Sequence, residues 1–434
     1  MTAEIAVLNR NAVALAADSA VTLQLPQGPP KIYLTNKLFT LSKFRPIGVM
    51  IYGAADFMGI PWETIIKGYR RQLGGRGFRK VQDYAKDFLA FIETHESFFP
   101  EERQRSSIYD RCRMWLHRLK LKLRRQIEFE IGNRGSVSED RAREIFREIV
   151  DEETANLRKH KPLPNLSRLS VRGLLRRYRK PIRQAIEDGI RNLAGAVSVR
   201  RLEGSSALAI LRDLFKPGES GVVIAGFGDD EFCPSLCCHG LDCIVGGRLR
   251  VQENRDKRTV ISPGGISASV IPFAQGEMVS LFMEGIDADY RDVVRSFVAR
   301  SFADGYPDMI GTILDKYLSK KQKEGVLKKV RKIGEQLSTK LDETIGEYAK
   351  GAHTDPIVQI VNYLPKEELA AMAEALVNLT AFKRHVATQA ETVGGPIDVA
   401  VISRGDGFVW IKRKHYFKAE LNPHFVANYL RETR

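Results

Sequence analysis

Long apolar runs are missing from this chain of 434 residues; none approaches the roughly 18 that a membrane-spanning helix needs. A secretory start is missing too. The first seven residues hold no Lys or Arg, and Asn9, Arg10 and Asn11 stand where an apolar h-region would continue. The start therefore predicts a cytoplasmic chain with no membrane partner. Cysteine is scarce: there are 5, and Cys233, Cys237, Cys238 and Cys243 share one short stretch. An odd number in a chain read as cytoplasmic argues against disulfides. The cluster reads C-x3-C-C-H-x4-C, without the paired C-x2-C knuckles of a zinc site. It lies in an apolar strand pair, where Cys packs as a small hydrophobe, so no metal is expected. Gly226-Phe227-Gly228 and Gly74-Gly75-Arg76-Gly77 lack a P-loop Lys-Ser/Thr or a Rossmann frame, so no nucleotide or other cofactor is expected. Internal repeats and low-complexity tracts are absent as well.

What is present is ordinary globular material, 43% hydrophobic and 28% charged, enough to bury a sizeable core in one large domain or two to three smaller ones. The net charge is +15, which permits acidic, nucleic-acid or anionic partners without choosing among them. The charge is uneven. Residues 111–125 hold seven Lys/Arg and no acid, residues 171–183 hold six and no acid, and an acid-rich stretch lies between. The favoured expectation is a solvated helix face, or one pairing with the acidic helix at 139–153. An acidic protein partner comes next, and nucleic acid is not favoured. Ser136 with Glu139 fits a capping box opening that acidic helix.

From about 57 to 216 the apolar spacing is helical, with breaks near 74–77, 133–136 and 161–167. The flanks read as strands. EIAVLN and AVALAA form a hairpin across Asn-Arg-Asn, and KLFTLS pairs with PIGVMIYG. Further strands are SGVVIAGFG, SLCCHGLDCIVGG, RLRVQ and ISASVIPFAQ. One amphipathic helix is predicted over GEMVSLFMEGIDADYRDVVRSFVARSF, more helix over 308–350, and another over PKEELAAMAEALVNLTAFKRHVATQ. PIDVAVIS and FVWIKR close the chain as a strand pair. The order of elements predicts α+β, with helices and sheets in separate layers.

The opening residues carry chemistry. Thr2 is small, so removal of Met1 is expected, leaving a threonine with a hydroxyl and a free α-amine. An N-terminal Thr can use its own amine as base for its hydroxyl, and that amine ordinarily titrates at about 7.7–8.0. A nearby cation disfavours its protonation, and an aspartate can hold the cation. Asp18 ends the second strand of the hairpin and returns beside Thr2. Lys37 opens the next strand and supplies the cation. At Tyr52 and Gly53, where PIGVMIYG ends, backbone N–H groups could face an oxyanion.

These residues resemble the proteasome β-subunits and HslV-type peptidases, which are N-terminal-nucleophile (Ntn) hydrolases. Thr2 and Asp18 stand sixteen apart with AADS at 16–19, matching the family pattern. Lys37 fits the family lysine by its distance to YGAAD, with Lys31 as the rival. Tyr52 replaces the first glycine of the family pair and predicts a reshaped or narrowed cleft, and Gly53 matches the second. Phe227 and Val393 stand at family serine positions, and Glu391 is a weak match to an aspartate.

The resemblance implies a four-layer αββα sandwich with large helical insertions. Residues 2–70, 206–305 and 363–434 would form the core, with a basic helical insertion at 71–205 and a second at 306–362. It further implies a threonine-type endopeptidase acting on a peptide or protein substrate, a homo-oligomer, and room for an ATP-dependent unfoldase. Two other readings fit the same residues: an inactive proteasome-like scaffold whose basic insertion binds a protein or nucleic acid, and an amidohydrolase of small amides.

Overall fold

The computed structural model of the chain describes residues 3–23, 31–190, 195–212, 220–386, 394–415, 417–424 and 427. The hairpin β1 (Glu4–Asn9) and β2 (Ala12–Ala17) comes first, turned by Asn9, whose Oδ1 accepts from the N–H groups of Asn11 and Ala12. A ribbon of β3 (Ala20–Leu23) and β4 (Lys31–Leu34) precedes β5 (Leu38–Thr40) and β6 (Ile47–Tyr52). A second ribbon pairs β7 (Asp56–Phe57) with β8 (Ile60–Pro61). Helices α1 (Trp62–Leu73), α2 (Val81–Thr94), α3 (Glu101–Arg134), α4 (Glu139–Lys159), α5 (Val171–Gly189) and α6 (Val199–Arg212) follow. Strands return as β9 (Gly221–Gly226), β10 (Ser235–Val245), β11 (Arg248–Glu253), β12 (Thr259–Val260) and β13 (Ala268–Pro272). Then come α7 (Glu277–Glu284), α8 (Ala288–Arg300), α9 (Tyr306–Leu314), α10 (Lys320–Ala349), α11 (Asp355–Tyr363) and α12 (Lys366–Val386), and the hairpin of β14 (Asp398–Ser403) and β15 (Gly407–Lys412).

The expectation of α+β holds at this level: two antiparallel sheets, with helices in layers of their own. One sheet runs β13-β1-β2-β14-β15 and the other β11-β10-β9-β6-β5, with β12 beside β10. Their inner faces share one apolar core, in which Ala6, Leu8 and Leu15 meet Met50, Val223 and Leu236. The outer face of the first sheet, including Ile5, Val7 and Ala14, packs on Leu369, Ala373 and Val377 of α12. The outer face of the second, including Val49 and Ile224, packs on Ile65 and Tyr69 of α1 and Phe88 of α2. This double cover explains why β2 and residues 5–8 of β1 are unbroken apolar runs rather than alternating ones, with every residue of both strands buried. Each fully buried Leu, Ile or Val stabilises by roughly 1.5–3 kcal/mol.

Helices α3 to α6 enclose a separate core around Trp115, Phe146, Ile182 and Leu202, closed by Cys243 and Val245 from the end of β10. Its seam with the sheet is ionic. Buried Arg250 donates to Asp242 (2.5 Å), which Arg111 of α3 also meets at 2.9 Å. Among the described residues no helix is long and apolar enough to cross a membrane.

Two local expectations are corrected. The predicted helix over 276–302 breaks at Gly285, whose φ of +72° is left-handed, and Asp287 starts α8 by accepting from Asp289 and Tyr290. The acidic helix is capped by Ser138, not Ser136: Ser138 Oγ accepts from Arg141 N–H, and Arg141 at the third position rules out a capping box there.

Candidate active site

Asp18 stands just past the end of β2, where the register pairs Glu4 with Ala17. One step outward, Asp18 and Ala3 face each other. Asp18 N–H donates to Ala3 C=O (3.1 Å), and Ala3 N–H donates to Asp18 Oδ1 (3.1 Å). The carboxylate is buried and anchored further: Oδ2 accepts from Gly394 N–H at 3.0 Å, and Oδ1 accepts from Lys37 Nζ at 2.5 Å. Lys37 lies just before β5, and its carbonyl accepts from Ile51 N–H (2.8 Å), which ties the start of β5 to β6. Its side chain is only 4% exposed. Lys31 lies in the exposed strand β4, so of the two lysines Lys37 meets Asp18.

Reading by spacing missed a third member. Glu4, fully buried on β1, places Oε1 3.4 Å from Lys37 Nζ. The ammonium thus lies between two carboxylates, and a buried charge needs such compensation to be tolerated. The signal was present in the sequence: Glu4 is a lone charge in an apolar strand. The anchor from Gly394 N–H had no local signal, because it comes from 376 residues away.

Tyr52 ends β6. Its ring stacks on Phe273 at 6.0 Å, and its hydroxyl lies 3.4 Å from Cys238 Sγ, within the core between the sheets. Burial, reinforced by Cys238 and Glu4, pushes its phenol well above the ordinary value. The opposed residue on β9 is Gly221, and any side chain there would collide with the Tyr52 ring. The ring that predicted a narrowed cleft is therefore largely stowed between the sheets. Gly53 follows with φ +84°, and Ala54 N–H donates to Ser220 Oγ. Phe227 is buried in the same core and brings no hydroxyl. Thr2, Glu391 and Val393 lie outside the described residues, and the bond that joins Thr2 to the chain is at Ala3 N.

A groove of about 1510 Å³ opens beside Tyr52 and Gly53. Asp18 and Lys37 do not line it; they are buried. Its walls include His239 of β10, Glu253 of β11, Lys257, and His160–Asn165 from the connection between α4 and α5. Lys257 Nζ donates to the carbonyls of Pro272 (2.5 Å) and Phe273 (3.0 Å), tying the second sheet's connection to the end of β13. Burial pulls its ammonium below the ordinary value, against Cys238 and Glu4. Neither Lys257 nor the 160–165 wall was singled out from sequence.

The cysteine stretch does not converge. Cys237 faces the helix-covered core, Cys238 the core between the sheets, and Cys243 the core of α3 to α6. Burial pushes all three thiols up, away from the thiolate a metal or a nucleophile requires. Comparison with protein-family models and with curated proteins finds no match.

Proposed function

We propose that the chain is a threonine-type Ntn hydrolase resembling proteasome β and HslV subunits, built on a four-layer αββα sandwich with helical insertions. The observation that carries this reading is the buried Asp18–Lys37 pair, with Asp18 also accepting from Ala3 N–H, one peptide bond from Thr2. Burying a lysine there is costly, since desolvating two charges costs about as much as their attraction returns.

After removal of Met1, the Thr2 hydroxyl attacks the amide carbonyl carbon while its α-amine takes the proton. Lys37 acts on that amine, Asp18 orients Lys37, and Glu4 shares its charge. Backbone N–H groups at the Tyr52–Gly53 turn receive the oxyanion. Collapse of the tetrahedral intermediate expels the amine, protonated by the Thr2 ammonium, and leaves an ester on Oγ. Water then cleaves that ester and restores the hydroxyl. The groove of about 1510 Å³ exceeds the roughly 300–1,000 Å³ of small-ligand sites, which favours a peptide over a small amide. A peptide or protein substrate and a homo-oligomer belong to this reading.

Intact mass should show loss of Met1. A peptide epoxyketone should add one label to the wild type and none to Thr2→Ala. Retention of Met1, or equal labelling of both proteins, overturns the reading.

A further inference from the structure

Nearly all of the chain's excess charge lies in one region. Residues 71–205 hold 31 Lys/Arg against 19 Asp/Glu, a net +12 of the total +15. Within it, residues 154–186 carry ten Lys/Arg and no acid. This stretch covers the end of α4, the connection that walls the groove, and most of α5. On α5 the cations Arg172, Arg176, Arg179, Lys180 and Arg183 are all exposed. Arg172 and Arg176 stand four residues apart and so share one side of the helix, with Lys180 four residues further on. The stripe crosses a kink at Tyr178. Neutralisation is partial: Arg177 pairs with Glu101, Arg179 with Glu203 and Arg183 with Glu187. Arg172, Arg176 and Lys180 make no ion pair among the described residues.

The surface also shows which partners it does not suit. No large apolar or aromatic side chain is exposed over residues 154–186, and Tyr178 is fully buried. A protein interface needs apolar or aromatic anchors at its centre. Single-stranded nucleic acid needs aromatic platforms on which bases stack. A cationic helix with neither is suited to phosphates, which Arg binds with a planar fork. The exposed side of α5 fits along the wide major groove of B-DNA, between the phosphates of its edges, which the deep, narrow major groove of A-form RNA does not admit.

We propose that the exposed face of α5 binds double-stranded DNA through its phosphate backbone, without reading sequence. The site is independent of the hydrolase chemistry and adjoins the connection that forms one groove wall. The test uses the full chain and a short fluorescent DNA duplex of mixed sequence, followed by anisotropy across a salt series. Binding should weaken with salt along a straight log–log line and be indifferent to a second duplex sequence. The R172E/R176E/K180E variant should bind at least tenfold more weakly. The milder R172Q/R176Q/K180Q variant should lower the salt slope by about 0.9 for each phosphate it no longer neutralises. Thr2→Ala should bind as the wild type does. Absence of binding at low salt, unchanged affinity in the folded charge-reversed variant, or tighter binding of single-stranded DNA, duplex RNA or polyglutamate each overturns the proposal.

Discussion

Lys37 illustrates how much a single residue's surroundings decide. Its ammonium is held by Asp18 at 2.5 Å and approached by Glu4 at 3.4 Å, with almost no water. Removing one member of a buried pair leaves the other charge uncompensated, a loss of about 3–5 kcal/mol. Lys37→Met should therefore lose epoxyketone labelling and also lower the urea midpoint sharply. Glu4→Gln removes only the more distant carboxylate and should be milder on both readouts than Asp18→Asn, since Asp18 also accepts from Ala3 and Gly394. His239 gives a pH signature. Burial, opposed by Glu253, lowers its pKa below the ordinary 6.5. Just below pH 6.5 the unfolded chain then binds a proton that the native chain does not, so stability falls as pH drops from 6.5 towards the native value. His239→Gln should flatten that part of the plot of urea midpoint against pH.

At the scale of elements, strands were more legible than helix ends. The runs IAVL, AVALAA, VVIAG and VAVI announce themselves because the part of a strand covered on both faces is apolar on both. Helix ends depend on single hydrogen bonds, which several neighbouring residues can make. Ser136 has the better motif, yet Ser138 caps α4, because the backbone turns there and aims Arg141 N–H at Ser138 Oγ. Ser138→Ala should cost about 1 kcal/mol of stability in urea denaturation, and Ser136→Ala nothing measurable. The Lys/Arg-rich α3 and the acid-rich α4 do meet in that sense through Lys122 with Glu153, while Arg141 of α4 with Glu130 of α3 joins them the other way round. The first contact was readable from charge alone, whereas the cations of α5 that make no ion pair among the described residues were not, since neutralisation depends on which helices become neighbours.

Across the whole molecule, α3 to α6 have a core of their own and are fastened to the sheets through β10 and β11. Arg250 is fully buried at that seam and depends on Asp242. Asp242→Asn should cost about 3–5 kcal/mol and separate the unfolding transition of the bundle from that of the sheets, seen as non-coincident fluorescence and circular-dichroism curves. Residue order alone dictates the longer strands, most of the helices and the α+β class. These follow from apolar periodicity, which a linear chain displays, whereas Lys37 rather than Lys31 as the partner of Asp18 was read from the family resemblance. Packing in three dimensions is what brings Glu4 to Lys37, holds Asp18 with Gly394, turns the Tyr52 ring between the sheets, and sets residues 160–165 against the groove. Each of these contacts joins segments far apart in the chain or depends on which side of a strand faces inward, and neither is visible until the sheets pack.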